Sequence, residues 1–256
     1  MSHLQPGQIF YEDKARLISI NEPAPLPETN LHVVSIREKN LVFKRIFDLV
    51  TSILVIVFVL SWLLPILALI IKIDSRGPVF FIQKRVGAMG KVFYCLKLRT
   101  MVVNEQANTQ QALNNDPRIT SFGKFLRVSC LDELPQFFNV LIGHMSIVGP
   151  RPHMIRDCKE FSKIVKHYNY RNLVKPGITG MAQVKGYRGK TNDYYDVSHR
   201  YKWDMFYVKN RSLNLDMRIM GLTIVSTFTA LFTTLFASRD REQVVDFKLD
   251  SREYLN

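Results

Sequence analysis

No charged residue occurs between Asp48 and Lys72, a run of 23 residues that reads LVTSILVIVFVLSWLLPILALII. At 1.5 Å per residue, a helix of that length reaches across the ~30 Å hydrocarbon core of a bilayer. Helices buried in soluble cores are seldom so long, so free of charge and so rich in β-branched and aromatic side chains. The run therefore predicts a membrane-embedded helix.

Crossing the membrane is a separate question, and two features oppose a straight span. Pro65 removes a backbone hydrogen bond and crowds the preceding turn, while Ser61, four residues earlier, offers a hydroxyl to a freed carbonyl. Positive charge also flanks both ends, with Lys44 and Arg45 before the run and Lys72, Arg76, Lys84 and Arg85 after it. The positive-inside bias draws each end to the cytoplasm. A re-entrant helix broken at Ser61 and Pro65 meets both demands; a kinked ordinary span is the alternative. The expected layout is a polar leader over residues 1–42, a re-entrant membrane helix over 43–72 and a cytosolic domain over 73–256.

Beyond the run, GPVFFIQKRVG and KVFYCLKLRTM read as short apolar-aromatic strands around the turn GAMG. The polar stretch NEQANTQQALNNDPRIT predicts a surface helix and loop. Helical patterning resumes at Leu131 and across residues 155–169, and VKPGITGMAQVKGYRGKT is rich in turns. Residues 219–236 carry no charge, and their hydroxyls fall largely on one helical side. That pattern fits a C-terminal helix lying in the membrane interface, or one packed on the domain. The fold class expected is α+β, mainly helical.

A formal charge of +13 calls for a polyanionic partner: nucleic acid, anionic lipid or a phosphorylated substrate. Nucleic acid is disfavoured, because the charge is dispersed and neither a zinc finger nor a basic-region heptad is present. Cys95, Cys130 and Cys158 are odd in number and include no CxxC pair, which fits a reducing compartment. The N-terminal stretch MSHLQPGQIFYEDK has no signal-peptide core.

One place in the chain concentrates chemistry. SCLDELPQFFNV sets Asp132 beside Glu133 ahead of an apolar helical run. Alone, the pair is also what a capped helix start looks like, with Asp132 as N-cap and Pro135 in the first turn. The neighbourhood favours more. Lys124 and Arg127 precede the pair, and Arg151 follows in the Pro-flanked turn SIVGPRPHM. An arginine fork matches phosphate oxygens, adjacent carboxylates suit Mg²⁺, and a carboxylate can attack phosphorus. Together they describe phosphoryl-transfer equipment at a membrane surface.

These stretches, with KRIFDLV, DPRITSFGKFLR, LDELPQFFNVLIGHMSIVGPRP and VKPGITGMAQVKGYRG, resemble the bacterial sugar transferases. Those are monotopic polyprenyl-phosphate glycosyl-1-phosphate transferases, and the resemblance runs from about Phe43 to about Thr223. It implies transfer of a sugar-1-phosphate from a UDP-sugar to undecaprenyl phosphate, with release of UMP, as the first membrane step of surface-glycan synthesis. By resemblance, Asp132 is the nucleophile and Glu133 helps hold Mg²⁺ or position the second attack. The family's phosphate and substrate contacts fall on Lys97, Arg127, Arg151, Gln183, Arg188 and Asp216. The implied location is the bacterial inner membrane, with the catalytic domain facing the cytoplasm. A homodimer and later glycosyltransferases are the further partners expected.

The GYRGKT stretch resembles members that use glucose or galactose phosphates, with UDP-N-acetylated sugars as the alternative. A reading of another class is an inactive membrane scaffold for glycan assembly, which the intact acidic pair opposes. Larger family members carry an N-terminal multi-span domain, so a minimal catalytic unit is expected here. Leu64 before Pro65, His144 and Met181 depart from the family's usual residues and leave the membrane bend and sugar pocket open.

Overall fold

The computed structural model describes residues 38–104, 116–188 and 194–236. The expected leader falls outside them except for residues 38–42, as does most of the expected surface helix and loop. The apolar run lies in one long helical stretch: α1 (Glu38–Val55), a π-helical turn (Ile56–Leu60) and α2 (Ser61–Asp74). Helix thus extends past both expected ends of the membrane segment.

The helix runs on through Pro65, and its backbone pairing departs from the α pattern one turn earlier. Ser61 N–H reaches back five residues to Ile56 O, the pattern of a π-turn. The widened turn shifts the backbone pairing, and two side chains cover its carbonyls. Ser61 Oγ donates to Val57 O, and Trp62 Nε1 donates to Phe58 O at 2.8 Å. The carbonyl Ser61 covers is one left open by the π-turn itself, not the one that Pro65 leaves without a donor.

Both ends of this long helix are seated on the same folded domain. At the first end, Arg45 donates to Val140 O and Leu141 O at 2.7 and 2.9 Å. Those carbonyls close α4 (Gln136–Leu141), where a cation also meets the negative end of the helix dipole. Asp48, 2% exposed, accepts from Ser146 Oγ and Ile147 N, each at 3.1 Å. At the second end, Leu67 and Ile71 bury against Leu98 and Leu126, and Arg99 NH2 caps α2 through Ser75 O at 2.6 Å. Between the two seats Ile53, Leu54, Val57, Phe58, Trp62 and Ile66 stay exposed. That bare apolar surface is what a bilayer would cover.

The predicted strands form. Strand β1 (Phe80–Val86) pairs antiparallel with β2 (Val92–Leu98), Phe81 opposite Lys97 and Gln83 opposite Cys95. Alternation buries Gln83, Phe93 and Cys95 on one face and leaves Ile82 and Tyr94 exposed on the other. Helix α3 (Ser121–Val128) starts on a Thr120 cap that accepts from Gly123 N at 3.0 Å. Gly123 has to be glycine, since a Cβ there would meet Thr100 O at 2.1 Å.

Strand β3 (Ser146–Val148) pairs parallel with β4 (Gly177–Thr179). Around them lie α5 (Ile155–Ile164), a 3₁₀ turn (Tyr168–Leu173), α6 (Met181–Val184), α7 (Tyr194–Asn210) and α8 (Leu213–Phe236). Phe93, Val140, Met145, Val148, Tyr207 and Ile219 share the main core. In α8 the first part of the hydroxyl side turns inward, Thr223 Oγ1 meeting Thr179 Oγ1 at 2.6 Å and Thr227 Oγ1 lying 3.8 Å from Cys130 Sγ, while Thr233 and Thr234 stay exposed. Ile224, Val225, Phe228 and Phe232 face out. The mainly helical α+β class expected from the sequence is what the described residues adopt.

Candidate active site

Asp132 does not cap a helix. Helix α3 ends at Val128, and Cys130 then takes a left-handed conformation, φ 59° and ψ 12°. A residue other than glycine pays about 1–2 kcal/mol for that conformation. It reverses the chain so that the next turn, Leu131–Glu133, is a separate 3₁₀ element with both acids buried. Helix α4 begins only after Pro135. The pair therefore points into the protein rather than onto its own helix end.

Glu133, 4% exposed, sits in a ring of cations. Lys97 from β2 donates to Oε1 at 2.8 Å. Arg151 grips both oxygens, NH2 to Oε1 at 2.6 Å and NH1 to Oε2 at 3.2 Å. Arg188 lies 3.6 Å from Oε2 and donates to Cys130 Sγ at 2.7 Å. Burial pushes the Glu133 carboxyl up, but Arg151, Lys97 and Arg188 outweigh it and hold it well below the usual carboxylate range.

Asp132 is the opposite case. Among the described residues no side chain hydrogen-bonds to its carboxylate. Burial and the neighbouring Glu133 raise its pKa, against Lys97, Arg127 and Arg151. Two adjacent acids with pKa values pushed apart are the pattern of a site with divided roles. Arg127 is anchored through Nε to Thr100 Oγ1 at 2.8 Å. Its terminal nitrogens have no other hydrogen-bond partner among the described residues, so this fork is free for an oxyanion.

Of the remaining sequence-predicted residues, Asp216 and Gln183 bond elsewhere than to the dyad. The Arg151 fork, expected on phosphate, is taken by Glu133, a carboxylate that burial strips of water and leaves to cationic donors. Asp216 pairs with Lys44 at 2.6 Å and accepts from Tyr207 at 2.8 Å, a buried tie between α8 and α1. Gln183 donates to Ile178 O at 3.1 Å, and its buried Oε1 has no partner among the described residues. Cys130 and Thr100 were missed, since nothing in their local sequence marks them.

The donor set accommodates Mg²⁺ only as a shared ligand. Among the described residues no group of three His, Cys, Asp or Glu side chains converges. Mg²⁺ usually keeps several waters and takes one or two carboxylates plus substrate phosphates, so the pair is enough. Asp132 offers a free carboxylate, whereas Glu133 Oε1 already accepts two cationic donors.

Fold and site together define a domain with a long, exposed apolar helix and a buried acidic dyad ringed by cations. The chain belongs to the bacterial sugar transferase family, whose family model matches residues 39–230. It is 44% identical over 190 residues to the UDP-glucose:undecaprenyl-phosphate glucose-1-phosphate transferase of Klebsiella pneumoniae, covering 74% of this chain and 41% of that protein. Identity to the like-named protein of Xanthomonas campestris pv. campestris is 44% over 211 residues, 81% of this chain and 43% of the relative. The exopolysaccharide production protein PSS of Rhizobium leguminosarum bv. phaseoli is 43% identical over 195 residues, 74% of this chain and 97% of the relative. The chain spans less than half the length of the first two.

Proposed function

We propose that the protein transfers a sugar-1-phosphate, glucose-1-phosphate foremost, from a UDP-sugar to undecaprenyl phosphate. The single observation that carries the reading is the division within the dyad. Glu133 is held ionised by three cations, while the Asp132 carboxylate has no hydrogen-bond partner among the described residues. The names of the relatives supply the substrate class.

In the proposed reaction an Asp132 oxygen attacks the phosphorus that bears the sugar. The bond from that phosphorus to the bridging oxygen breaks, and UMP leaves with the bond's electrons. An oxygen of undecaprenyl phosphate then attacks the same phosphorus, and the acyl-phosphate bond breaks to restore the Asp132 carboxylate. Arg127 receives phosphate oxygens through its free fork, and Lys97 and Arg151 keep Glu133 ionised and fixed. Mg²⁺, held by Asp132 and Glu133, would neutralise diphosphate charge. The test is purified protein with undecaprenyl phosphate, Mg²⁺ and a panel of UDP-sugars, scored for UMP. UMP from UDP-glucose is expected, and none from any member of the panel would overturn the reading.

Arg151→Lys keeps the charge and loses the fork. Losing one charge-assisted hydrogen bond, worth ~1.5–3 kcal/mol, lowers kcat/KM about 10- to 100-fold. Unchanged kinetics would remove Arg151 from the site's machinery.

The same proposal includes a re-entrant membrane helix and a catalytic domain on the cytoplasmic face of the inner membrane. What supports it is the seating of Asp48 and of Leu67 and Ile71 on one domain. A span would separate those seats by ~30 Å of hydrocarbon. A cysteine at Ser2, which lies outside the described residues, should resist membrane-impermeant thiol reagents in intact cells once the native cysteines are replaced. Labelling from outside would mean that the helix crosses.

A further inference from the structure

The turn that carries Arg151 has its backbone carbonyls tied down one after another. Pro150 O accepts from Gly177 N and His153 O from Val86 N, both at 3.0 Å. Pro152 O accepts from Arg85 NH1 at 2.9 Å, and Arg151 O from Arg171 NH2 at 2.6 Å. Four consecutive carbonyls thus go to β4, to β1 twice, and to the 3₁₀ turn at Tyr168–Leu173. Pro150 and Pro152 fix φ on either side of Arg151.

The hold of Arg171 is the unusual one. Its side chain is 1% exposed, and a second grip runs from Nε to Asp204 Oδ2 in α7 at 2.8 Å. Its guanidinium lies 5.4 Å over the Tyr168 ring, and the Tyr168 hydroxyl meets His153 Nδ1 at 2.6 Å. Positions three apart in a 3₁₀ turn share a side, so Tyr168 and Arg171 reach the same loop together. A buried ion pair is a poor device for stability alone, since apolar residues of like volume often serve as well. Here one member ends on the main chain of a site arginine.

We propose that Arg171, oriented by Asp204, is a positioning residue for Arg151. It fixes the backbone from which the Arg151 fork reaches both oxygens of Glu133. The kinetic part of this inference rests on the transferase reading above; the structural part does not.

Arg171→Lys keeps a cation but cannot hold Asp204 and the Arg151 carbonyl in one planar fork. Amide hydrogen exchange should quicken at residues 151, 153 and 154 while the rest of the core stays protected. UMP release should fall about tenfold in kcat/KM, the value of one lost charge-assisted hydrogen bond. In an Arg151→Ala background the same change should cost under about twofold, because the residue being positioned is gone. Asp204→Asn, isosteric and leaving Arg171 in place, should show the same background dependence and serves if the lysine variant fails to fold. Unaltered exchange at residues 151–154, or equal losses in both backgrounds, would overturn the assignment and leave the transferase reading standing. Absence of UMP release from the unaltered protein strikes that reading, and the exchange measurement then decides this one.

Discussion

Asp132→Asn abolishes UMP release, by at least about 10³-fold, while the protein stays folded. The size follows from losing a nucleophile outright, as in other covalent mechanisms. An amide cannot form the acyl-phosphate, yet it matches the carboxylate in volume. Stability should not fall, because the carboxylate has no hydrogen-bond partner among the described residues to lose. It should rise slightly at pH 7. Burial and Glu133 raise the folded pKa of Asp132, so its stabilising contribution is complete below the unfolded value of about 3.9. That contribution is lost as pH climbs through the folded value, and the neutral amide escapes the loss. The acid limb of the wild-type rate should also lie above the range of an ordinary aspartate. Melting temperature and UMP release of the variant at pH 7 check both halves; retained turnover would remove Asp132 as nucleophile.

Glu133→Gln is expected to do the reverse, losing stability as well as rate. Lys97, Arg151 and Arg188 would keep their charges around a neutral amide. Removing one partner of a fully buried pair costs ~3–5 kcal/mol. The Lys97 and Arg151 side chains retain 17% and 21% exposure, so about 2 kcal/mol is expected here. The sign with pH is fixed by the depressed pKa. Glu133 stabilises the fold above its unfolded value of about 4.3, and that contribution is lost as pH falls through the folded value. Wild type and variant should therefore converge in melting temperature on acidification. Turnover should drop about 10²-fold, the cost of misplacing a group that positions reacting partners. Equal melting temperatures at pH 7 would show that the cation ring does not depend on Glu133.

What the sequence determined by itself is whatever depends on neighbours within a few residues. The uncharged stretch from Leu49 to Ile71 implied an apolar helix, because side chains of one character over so many turns leave no polar face. The apolar-aromatic runs GPVFFIQKRVG and KVFYCLKLRTM around the turn GAMG implied the two strands that now pair from Phe80 to Leu98. The acidic dyad and its company of basic residues were visible for the same local reason. Only tertiary structure decided which cation meets which carboxylate. Lys44 pairs with Asp216 across 172 positions of sequence, and Arg151 reaches back 18 positions to Glu133. No periodicity encodes such distances. They follow from how α1 seats on the domain and from a left-handed Cys130 that turns the dyad inward. A carboxylate's partner is chosen by burial, which removes water as a competitor and leaves the nearest guanidinium or ammonium to neutralise the charge.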